Sequence, residues 1–432
     1  MKRSKSLLAL SPLGVFLGLY VVISLIIGDF YKIPLTVALL AASLWALLIY
    51  KDVSFSSRIE AFAKEAGNSN VLYMVWIFIL AGCFATLADK TGAIEATVAL
   101  TINQLPSNFV MPGLFMASCF ISMAIGTSVG TVVALVPLAV SYASSIGGEI
   151  PFFVAIVLGG SFFGDNLSFI SDTTIAATRT QGCKMSDKFK ANIKLALPAA
   201  LITLGIYIFG DFTIPESESS LPTNPWLILP YLVVIVLAIS GVNVTLTLVS
   251  GIILSFIIAL VFGFNIFEIL GFMGEGIDGM GNLIIITLMA AGMLGLIKAA
   301  GGIDALLHFL SKGINGTKGA QGVTAVLVGI VNLCTANNTV AILTVGSITK
   351  NISEKYGIPA KRGASLLDTS SCIVQCLIPY GAQTLLATSL ADISPTAPWP
   401  YLYYPWVLAG TLAFSIIFYK TAPRFSIRSQ NA

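Results

Sequence analysis

Charged side chains are scarce in this sequence. Only 10% of its 432 residues are Asp, Glu, Lys or Arg, against about 25% in soluble globular proteins. Hydrophobic residues make up 56% and the mean hydropathy is +0.92. These values exclude an ordinary soluble domain and predict an all-α polytopic membrane protein in contact with lipid. The net charge of +3 is too small to indicate a nucleic-acid partner.

Histidine is nearly absent, and the cysteines follow no metal-binding or disulfide spacing. Gly126 to Gly130 matches the G-x-S-x-G pattern of serine hydrolases and intramembrane proteases, but a serine nucleophile needs a positioned base. The single histidine, His308, lies on a short amphipathic stretch in the other half of the chain. The six cysteines sit in or beside apolar segments, where small packing residues are common. We therefore predict neither an enzyme nor a resident cofactor.

Long apolar runs dominate the chain. Ten continuous runs lie near residues 7–28, 33–50, 71–89, 151–180, 192–210, 225–241, 243–263, 283–299, 363–389 and 400–419. Two more, 109–146 and 320–349, are interrupted by GTSVGT and TANNT respectively. Non-helical backbone at membrane depth is tolerated only where protein or a water cavity covers it. The interruptions therefore predict helical hairpins that enter and leave the membrane on one side.

Basic residues are unevenly divided between the predicted loops. Ten crossings and two hairpins place one set of segments on the same side: 1–6, 51–70, 179–194, 298–320, 350–362 and 420–432. This set carries 21 of the 23 Lys and Arg residues, so the positive-inside rule identifies that side as cytoplasmic. The prediction is a multi-pass protein of the bacterial plasma (inner) membrane with both termini in the cytoplasm.

The chain also repeats itself. LAGCFATLADKTGAIEA, from Leu80, resembles MAAGMLGLIKAAGGIDA, from Met289. Offsets of 208 to 210 residues align Thr127, Thr131, Ser161 and Thr174 with Thr335, Thr339, Ser371 and Thr384. The predicted topology starts the two copies on opposite sides, which is the inverted repeat of many secondary transporters. The predicted domains are N-terminal scaffold helices (1–70), a first repeat (71–210), linking scaffold helices (211–265), a second repeat (266–420) and a cytoplasmic tail (421–432).

Two carboxylates stand seven residues apart in the run GGSFFGDNLSFISDTT, Gly159 to Thr174. A charge at this depth costs about a few kcal/mol or more. Three glycines are expected to loosen the helix and so free carbonyl oxygens, the ligands that hard cations prefer. The candidate sodium- and proton-binding residues are Asp165, Asp172, Asn166, Ser168, Ser171, Thr173 and Thr174, with Asp165 and Asp172 as the sodium ligands. A second interpretation is that Ser171 and Asp172 cap the helix that follows.

The second half of the chain supplies further polar groups. The candidate ligands from the hairpin tips and the second repeat are Thr127, Ser128, Asn337, Asn338, Thr339, Asp368 and Gln375. Gln375 stands where Asp165 stands in the first copy, so the second copy keeps the break without that charge. Two alternatives remain open. Thr127 and Ser128 suit small-residue helix packing, and Asp368 has Arg362 as an available cytoplasmic-side partner.

The stretch FGDNLSFISDTT, from Phe163, resembles the FGD-x-x-SPISDTT motif of the NhaC family of Na+/H+ antiporters, with Phe169 in place of the usual proline. That family belongs to a broad ion-transporter superfamily. The resemblance implies two re-entrant hairpins, two broken helices, a scaffold homodimer and elevator motion. It also implies that Asn338 and Thr339 match the superfamily's hairpin-tip Asn-Thr.

The sequence thus favours an antiporter that exchanges sodium ions for protons through carboxylates in a broken helix. One carboxylate binds either a proton or a cation, but not both. Each ion therefore has to leave before the other binds, which makes the exchange obligatory. The alternative is a sodium- or proton-coupled carrier or exchanger of a small organic acid or amino acid. Because no basic residue is predicted at mid-membrane depth, the sequence favours a bare cation as cargo, although a helix N-terminus also binds carboxylates.

Overall fold

The structure is a computed structural model that describes residues 7–23, 34–51, 54–94, 96–97, 107–168, 171–210, 224–240, 242–310, 314 and 316–419. The terminal segments 1–6 and 420–432, most of the loop from Asp211 to Asn224, and Phe169 lie outside the described residues. The described regular structure is entirely helical, which confirms the all-α prediction.

The described helices are numbered in chain order. They are α1 Ser11–Leu17, α2 Leu35–Ile49, α3 Phe55–Ala66, α4 Ser69–Lys90, α5 Ser107–Ile125, α6 Ser128–Ser145, α7 Ile150–Leu167, α8 Asp172–Gln181, α9 Met185–Phe209, α10 Leu229–Ile239, α11 Val244–Val261, α12 Ile266–Gly279, α13 Gly281–Ala299, α14 Gly302–Leu310, α15 Gly316–Thr335, α16 Asn338–Tyr356, α17 Ala360–Leu377, α18 Ala382–Leu390 and α19 Tyr403–Ile417.

Seven helical segments of the described chain are long and apolar enough to cross a membrane, and this is a multi-pass membrane protein. They are Val71–Lys90, Ser128–Ser145, Ile150–Gln181, Met185–Phe209, Val244–Val261, Ile266–Ala299 and Ala360–Leu390. The structure differs from the sequence prediction at α12, a helix that the apolar runs missed, and at α9, which begins at Met185 inside the predicted loop 179–194. Exposed apolar side chains such as Phe209 and Val261 are those expected of a lipid-facing surface.

Both interrupted runs turn at their polar sequences. α5 and α6 are separated by Gly126 (φ 75°) and Thr127, and α15 and α16 by Ala336 (φ 49°) and Asn337. Thr127 and Asn337 share the same φ of −148°. The two turns therefore correspond at an offset of 210 residues, rather than the 208 that aligned the threonines. A left-handed backbone suits glycine and is uncommon for alanine.

One hydrogen bond also recurs at this offset. The Ser122 hydroxyl of α5 donates to the Ser161 carbonyl of α7. At the equivalent positions, Asn332 Nδ2 of α15 donates to the Ser371 carbonyl of α17, at 2.8 Å. Each bond ties a hairpin helix to the first half of a broken segment, α7–α8 or α17–α18. The same kind of hydrogen bond between a hairpin helix and a broken segment therefore occurs in both halves of the chain.

The glycines before the first acid act by close packing. α7 stays helical through Leu167, so Gly160 and Gly164 lie inside it. A Cβ at Gly164 would overlap the side chain and backbone of Ser122, and one at Gly160 would overlap Ser118. The expectation that these glycines loosen the helix is therefore wrong: they let α5 approach α7, and the break begins only at Ser168.

We expect Gly164→Ala to destabilise the protein by about 1–3 kcal/mol, because the added methyl group forces α5 away from α7. Gly205→Ala is the matched control, since Gly205 also lies inside a membrane helix but has open space where an added methyl group would stand. Unfolding midpoints of both variants in detergent would check this. Equal midpoints would show that the α5–α7 contact adjusts freely.

Candidate functional site

A cavity of about 340 Å³ collects most of the predicted site residues. It lies among α4, the Gly126–Thr127 turn, the α7–α8 break and the start of α16. The polar residues that line it are Thr127, Ser128, Asp165, Ser171, Asp172, Thr173, Arg179, Asn337, Asn338, Thr339 and Gln383. The structure therefore brings both hairpin turns to the first broken segment.

Asp165 is the buried carboxylate of this cavity, with 4% of its surface exposed. It accepts two hydrogen bonds from Ser128, one from the backbone N–H to Oδ1 at 3.1 Å and one from the hydroxyl to Oδ2 at 2.6 Å. Ser128 is the first residue of α6, so the carboxylate also faces the positive end of that helix dipole. The Ser128 hydroxyl, which belongs to the G-x-S-x-G match, is thus bonded to an acid.

Two glutamines connect this acid to the second hairpin turn. Gln383 Nε2 donates to the Ser128 hydroxyl oxygen at 3.0 Å. Gln375 Nε2 donates to Gln383 Oε1 and to the Ala336 carbonyl, each at 3.0 Å. Gln375, predicted as a ligand, thus reaches the cavity through Gln383. A continuous chain of hydrogen bonds joins Asp165 to the turn between α15 and α16.

Asp172 differs from Asp165 because its side chain is exposed to the cavity. It is the first residue of α8, where the helix dipole favours an acid. Ser171 stands at the N-cap position, but its side chain makes no capping bond and pairs with the Thr173 hydroxyl at 2.8 Å. The capping interpretation therefore holds for the position of Ser171 and not for its hydroxyl.

The end of α7 exposes carbonyl oxygens to side chains, as the break predicts. The Thr174 hydroxyl donates to the Ser168 carbonyl at 2.8 Å. The Thr173 hydroxyl donates to the Asp165 carbonyl at 3.4 Å. These bonds replace the helical partners that the backbone loses between α7 and α8.

The two adjacent asparagines of the second turn have separate roles. Asn337 is the N-cap of α16, and its Oδ1 accepts from the Val340 N–H at 3.0 Å. Asn338 Oδ1 accepts from the Thr339 N–H at 3.0 Å. Asn338 Nδ2 is buried and has no hydrogen-bond partner among the described residues. Both side chains line the cavity, and Asn338 leaves a buried amide nitrogen unbonded beside it.

Asp368 lies outside this cavity and forms a buried ion pair with Lys188. The distance from Nζ to Oδ2 is 2.6 Å, with 1% of the lysine side chain and none of the carboxylate side chain exposed. The suggested Arg362 partner is wrong: Arg362 donates to Gln321 and Ser415. Lys188, which the sequence analysis assigned to the loop 179–194, is thus a buried basic residue.

Lys188 and Asn192 are two residues near the site that the sequence prediction missed, as it missed Gln383. Lys188 Nζ also donates to the Asn166 carbonyl at 2.8 Å and to the Thr174 hydroxyl at 2.6 Å. Asn192 Nδ2 donates to the same Asn166 carbonyl at 2.9 Å and to Asp368 Oδ2 at 2.7 Å. The sequence held one signal for this pair: the i, i+4 spacing continues the buried stripe of α9 through Leu195 and Ala199.

A second cavity, of about 460 Å³, lies further along helices that also border the first. α4, α6 and α18 contribute to both cavities, and their C-terminal halves line the second one together with α12. Asp89, Ser141 and Ser389 are among its polar residues. The segments of α4, α6 and α18 between the two cavities are packed with buried apolar side chains, including Phe78, Val133 and Leu386.

Comparison with known proteins gives a consistent family. The family model for the Na+/H+ antiporter family matches residues 6–210 and 217–422. The chain is 25% identical over 409 residues to the Na+/H+ antiporter NhaC of Bacillus subtilis, covering 86% of this chain and 88% of the relative. It is 22% identical to the malate-2H+/Na+-lactate antiporter of the same organism, over 92% of both chains.

Two further similarities are more distant. The arginine/ornithine antiporter ArcD of Halobacterium salinarum is 22% identical over 80% of this chain and 79% of its own. Among solved structures, the YdaH transporter of Alcanivorax borkumensis matches with a TM-score of 0.44 and 14% identity, over 85% of this chain and 88% of that one.

Proposed function

Because the chain belongs to the Na+/H+ antiporter family, we propose that it exchanges sodium ions for protons across the plasma membrane, with Asp165 as the carboxylate that binds either ion. The observation that carries this proposal is the position of Asp165. It is buried, yet it lines a polar cavity and lies at the meeting point of a hairpin turn and a broken segment. Intramembrane acids at such places mark ion pathways.

The ligands around Asp165 suit a hard cation. Carboxylate, hydroxyl and amide oxygens are the groups that such cations prefer, and the cavity presents them from Asp172, Thr339 and Asn338. Asp172, being exposed, attracts cations to the cavity, while Asp165 binds them at its base. A proton on Asp165 removes the charge that holds sodium, so each ion displaces the other.

The two cavities support alternating access. In our proposal the first cavity is the open vestibule on one side of the membrane, and the second is the beginning of the pathway to the other side. The apolar layer around Val133 and Leu386 separates them in the described state. The equivalent turns and the recurring hydrogen bond support an inverted repeat, which transporters use to exchange one closed side for the other. Elevator motion, the homodimer, the domain boundaries and the cytoplasmic termini remain predictions.

The test is proton movement in proteoliposomes that contain the purified protein and a pH-sensitive dye. A sodium gradient is expected to drive proton flux in the opposite direction, and choline at the same ionic strength is expected to drive none. Liposomes without the protein measure the passive leak of protons. Equal flux with sodium and choline would contradict sodium–proton exchange.

A second candidate function is exchange of a small organic anion coupled to sodium or protons. Two observations favour it: the cavity volume of about 340 Å³ lies within the range of small-molecule sites, and the wall contains one base, Arg179. The malate-2H+/Na+-lactate relative carries such cargo. Counterflow of labelled small organic acids and amino acids, with and without sodium, distinguishes this function from bare cation exchange.

Arg179→Gln separates the two functions. If an organic anion is the cargo, loss of one charged hydrogen bond, worth about 1.5–3 kcal/mol, raises its KM about tenfold to a hundredfold. If sodium and protons are the only cargo, the variant keeps its sodium-dependent proton flux. Lys184→Gln is the control, because Lys184 is an exposed base just beyond α8 that does not line the cavity.

A further inference from the structure

Lys188 occupies a cluster of buried oxygens that is separate from the cavity at Asp165. Its ammonium group is held by three oxygens of different kinds: the Asp368 carboxylate, the Thr174 hydroxyl and the Asn166 carbonyl, at 2.6, 2.6 and 2.8 Å. The side chains of Lys188, Asp368 and Thr174 are at least 99% buried. A buried lysine surrounded in this way occupies the position of a bound cation.

The cluster holds more oxygens than the lysine uses. Asn166 Oδ1, Asp368 Oδ1 and Asn192 Oδ1 are buried and have no hydrogen-bond partner among the described residues. Asn192 Nδ2 bonds two of the oxygens that Lys188 bonds, and so fixes them in place. A carboxylate, a hydroxyl, a backbone carbonyl and spare amide oxygens together form a ligand set that suits a hard cation.

The buried acids Asp165 and Asp368 occupy different positions in the two halves of the chain. At the offset of 210 residues, Asp165 corresponds to Gln375, and Asp368 corresponds to the buried Leu158. The two buried carboxylates, Asp165 and Asp368, therefore lie on the broken segments of different halves, at positions that are not equivalent. Asp165 faces a cavity, whereas Asp368 faces a lysine.

We propose that the oxygens around Asp368 form a second cation site in which the ammonium group of Lys188 is a resident, covalently tethered cation. The tethered charge joins α9 to α17 and to the end of α7, and it denies this site to sodium. One consequence rests on the proposed function: the chain keeps a single carboxylate, Asp165, for ion exchange. Removing the ammonium group vacates the site for sodium.

The experiment measures binding of radiolabelled sodium to purified full-length protein in detergent, with choline chloride keeping the ionic strength constant. Asp165→Asn is expected to bind no sodium. Adding Lys188→Ala to that variant is expected to create one sodium site per chain, and adding Asp368→Asn as well is expected to remove it. The matched control for Lys188→Ala is Lys190→Ala, an exposed lysine two residues further along α9. It is expected to leave the Asp165→Asn variant without sodium binding.

Failure of this proposal and failure of the proposed function give different results. If wild-type protein binds no sodium, the role of Asp165 is contradicted, while gain of binding in Asp165→Asn/Lys188→Ala still supports the second site. If that double variant binds no sodium, the tethered-cation proposal is overturned. Should Lys188→Ala impair folding, purification in sodium chloride and in choline chloride decides: recovery in sodium alone supports the site, and loss in both salts overturns it.

Discussion

Asp165→Asn is expected to lower sodium-dependent proton flux in proteoliposomes by about 100-fold or more. The amide has the size of the carboxylate: its oxygen can accept from the Ser128 N–H, and its NH2 group can donate to the Ser128 hydroxyl oxygen. It carries no charge for sodium and does not exchange a proton. Losing about 3 kcal/mol from an interaction with a charged group corresponds to about a hundredfold in rate. Because the substitution is isosteric, the unfolding midpoint in detergent is expected to stay close to that of wild-type protein.

Two further variants show whether this loss comes from the site. Ser128→Ala removes one of the two bonds to Asp165 and keeps the backbone bond, so about a tenfold reduction is expected. Asp304→Asn removes an exposed acid from α14 and is expected to change nothing. Wild-type flux in Asp165→Asn protein would exclude Asp165 as the exchanging group.

The interrupted helices are the part of the fold that sequence predicts well. GTSVGT places a glycine where the backbone of Gly126 needs φ of 75°, and small polar residues begin the next helix. The second turn has the same shape, but Ala336 occupies its left-handed position. No local residue preference predicts this, and only the repeat suggests it. The hydrogen bond from Gln375 to the Ala336 carbonyl is a tertiary contact that helps to fix the turn.

The buried ion pair is the part that sequence reasoning missed. The positive-inside rule counts every lysine near a helix end as a loop residue, and Lys188 falls within the predicted loop 179–194. Its burial depends on Asp368, which lies 180 residues away in sequence, and on the Asn166 carbonyl freed by the end of α7. Those partners exist only in the folded protein, so the charge pattern alone assigns Lys188 to the cytoplasmic surface.

Asp165 and Asp172 show that sequence reasoning is limited in the same way for two acids that are close together in the chain. They look alike in sequence, since each is a single acid among small polar residues. In the structure Asp165 is bonded to the start of α6, whereas Asp172 begins α8 and is exposed to the cavity. The difference arises because α6 packs against α7 at the level of Asp165. Which of two nearby acids is buried is thus decided by another helix.

Removing either partner of the Lys188–Asp368 pair is expected to destabilise the protein by about 3–5 kcal/mol in sodium-free buffer, because the remaining charge stays buried without its counter-charge. Lys188→Met and Asp368→Leu test the two sides. The double variant is expected to be more stable than either single variant, since it leaves no unpaired charge. Unfolding midpoints in mixed detergent micelles, measured for all four proteins, give the coupling between the two residues.

An exposed pair provides the control for that cycle. Lys90 and Glu275 are 3.7 Å apart with 45% and 61% of their side chains exposed, so water already screens both charges and their coupling is expected to stay below about 1 kcal/mol. A Lys188–Asp368 coupling of that small size would mean that water reaches the buried site when one partner is removed. A large coupling in sodium-free buffer, together with stabilisation by sodium of the Lys188→Met protein alone, would instead place a cation beside Asp368. That variant alone combines a free carboxylate with a vacated ammonium position.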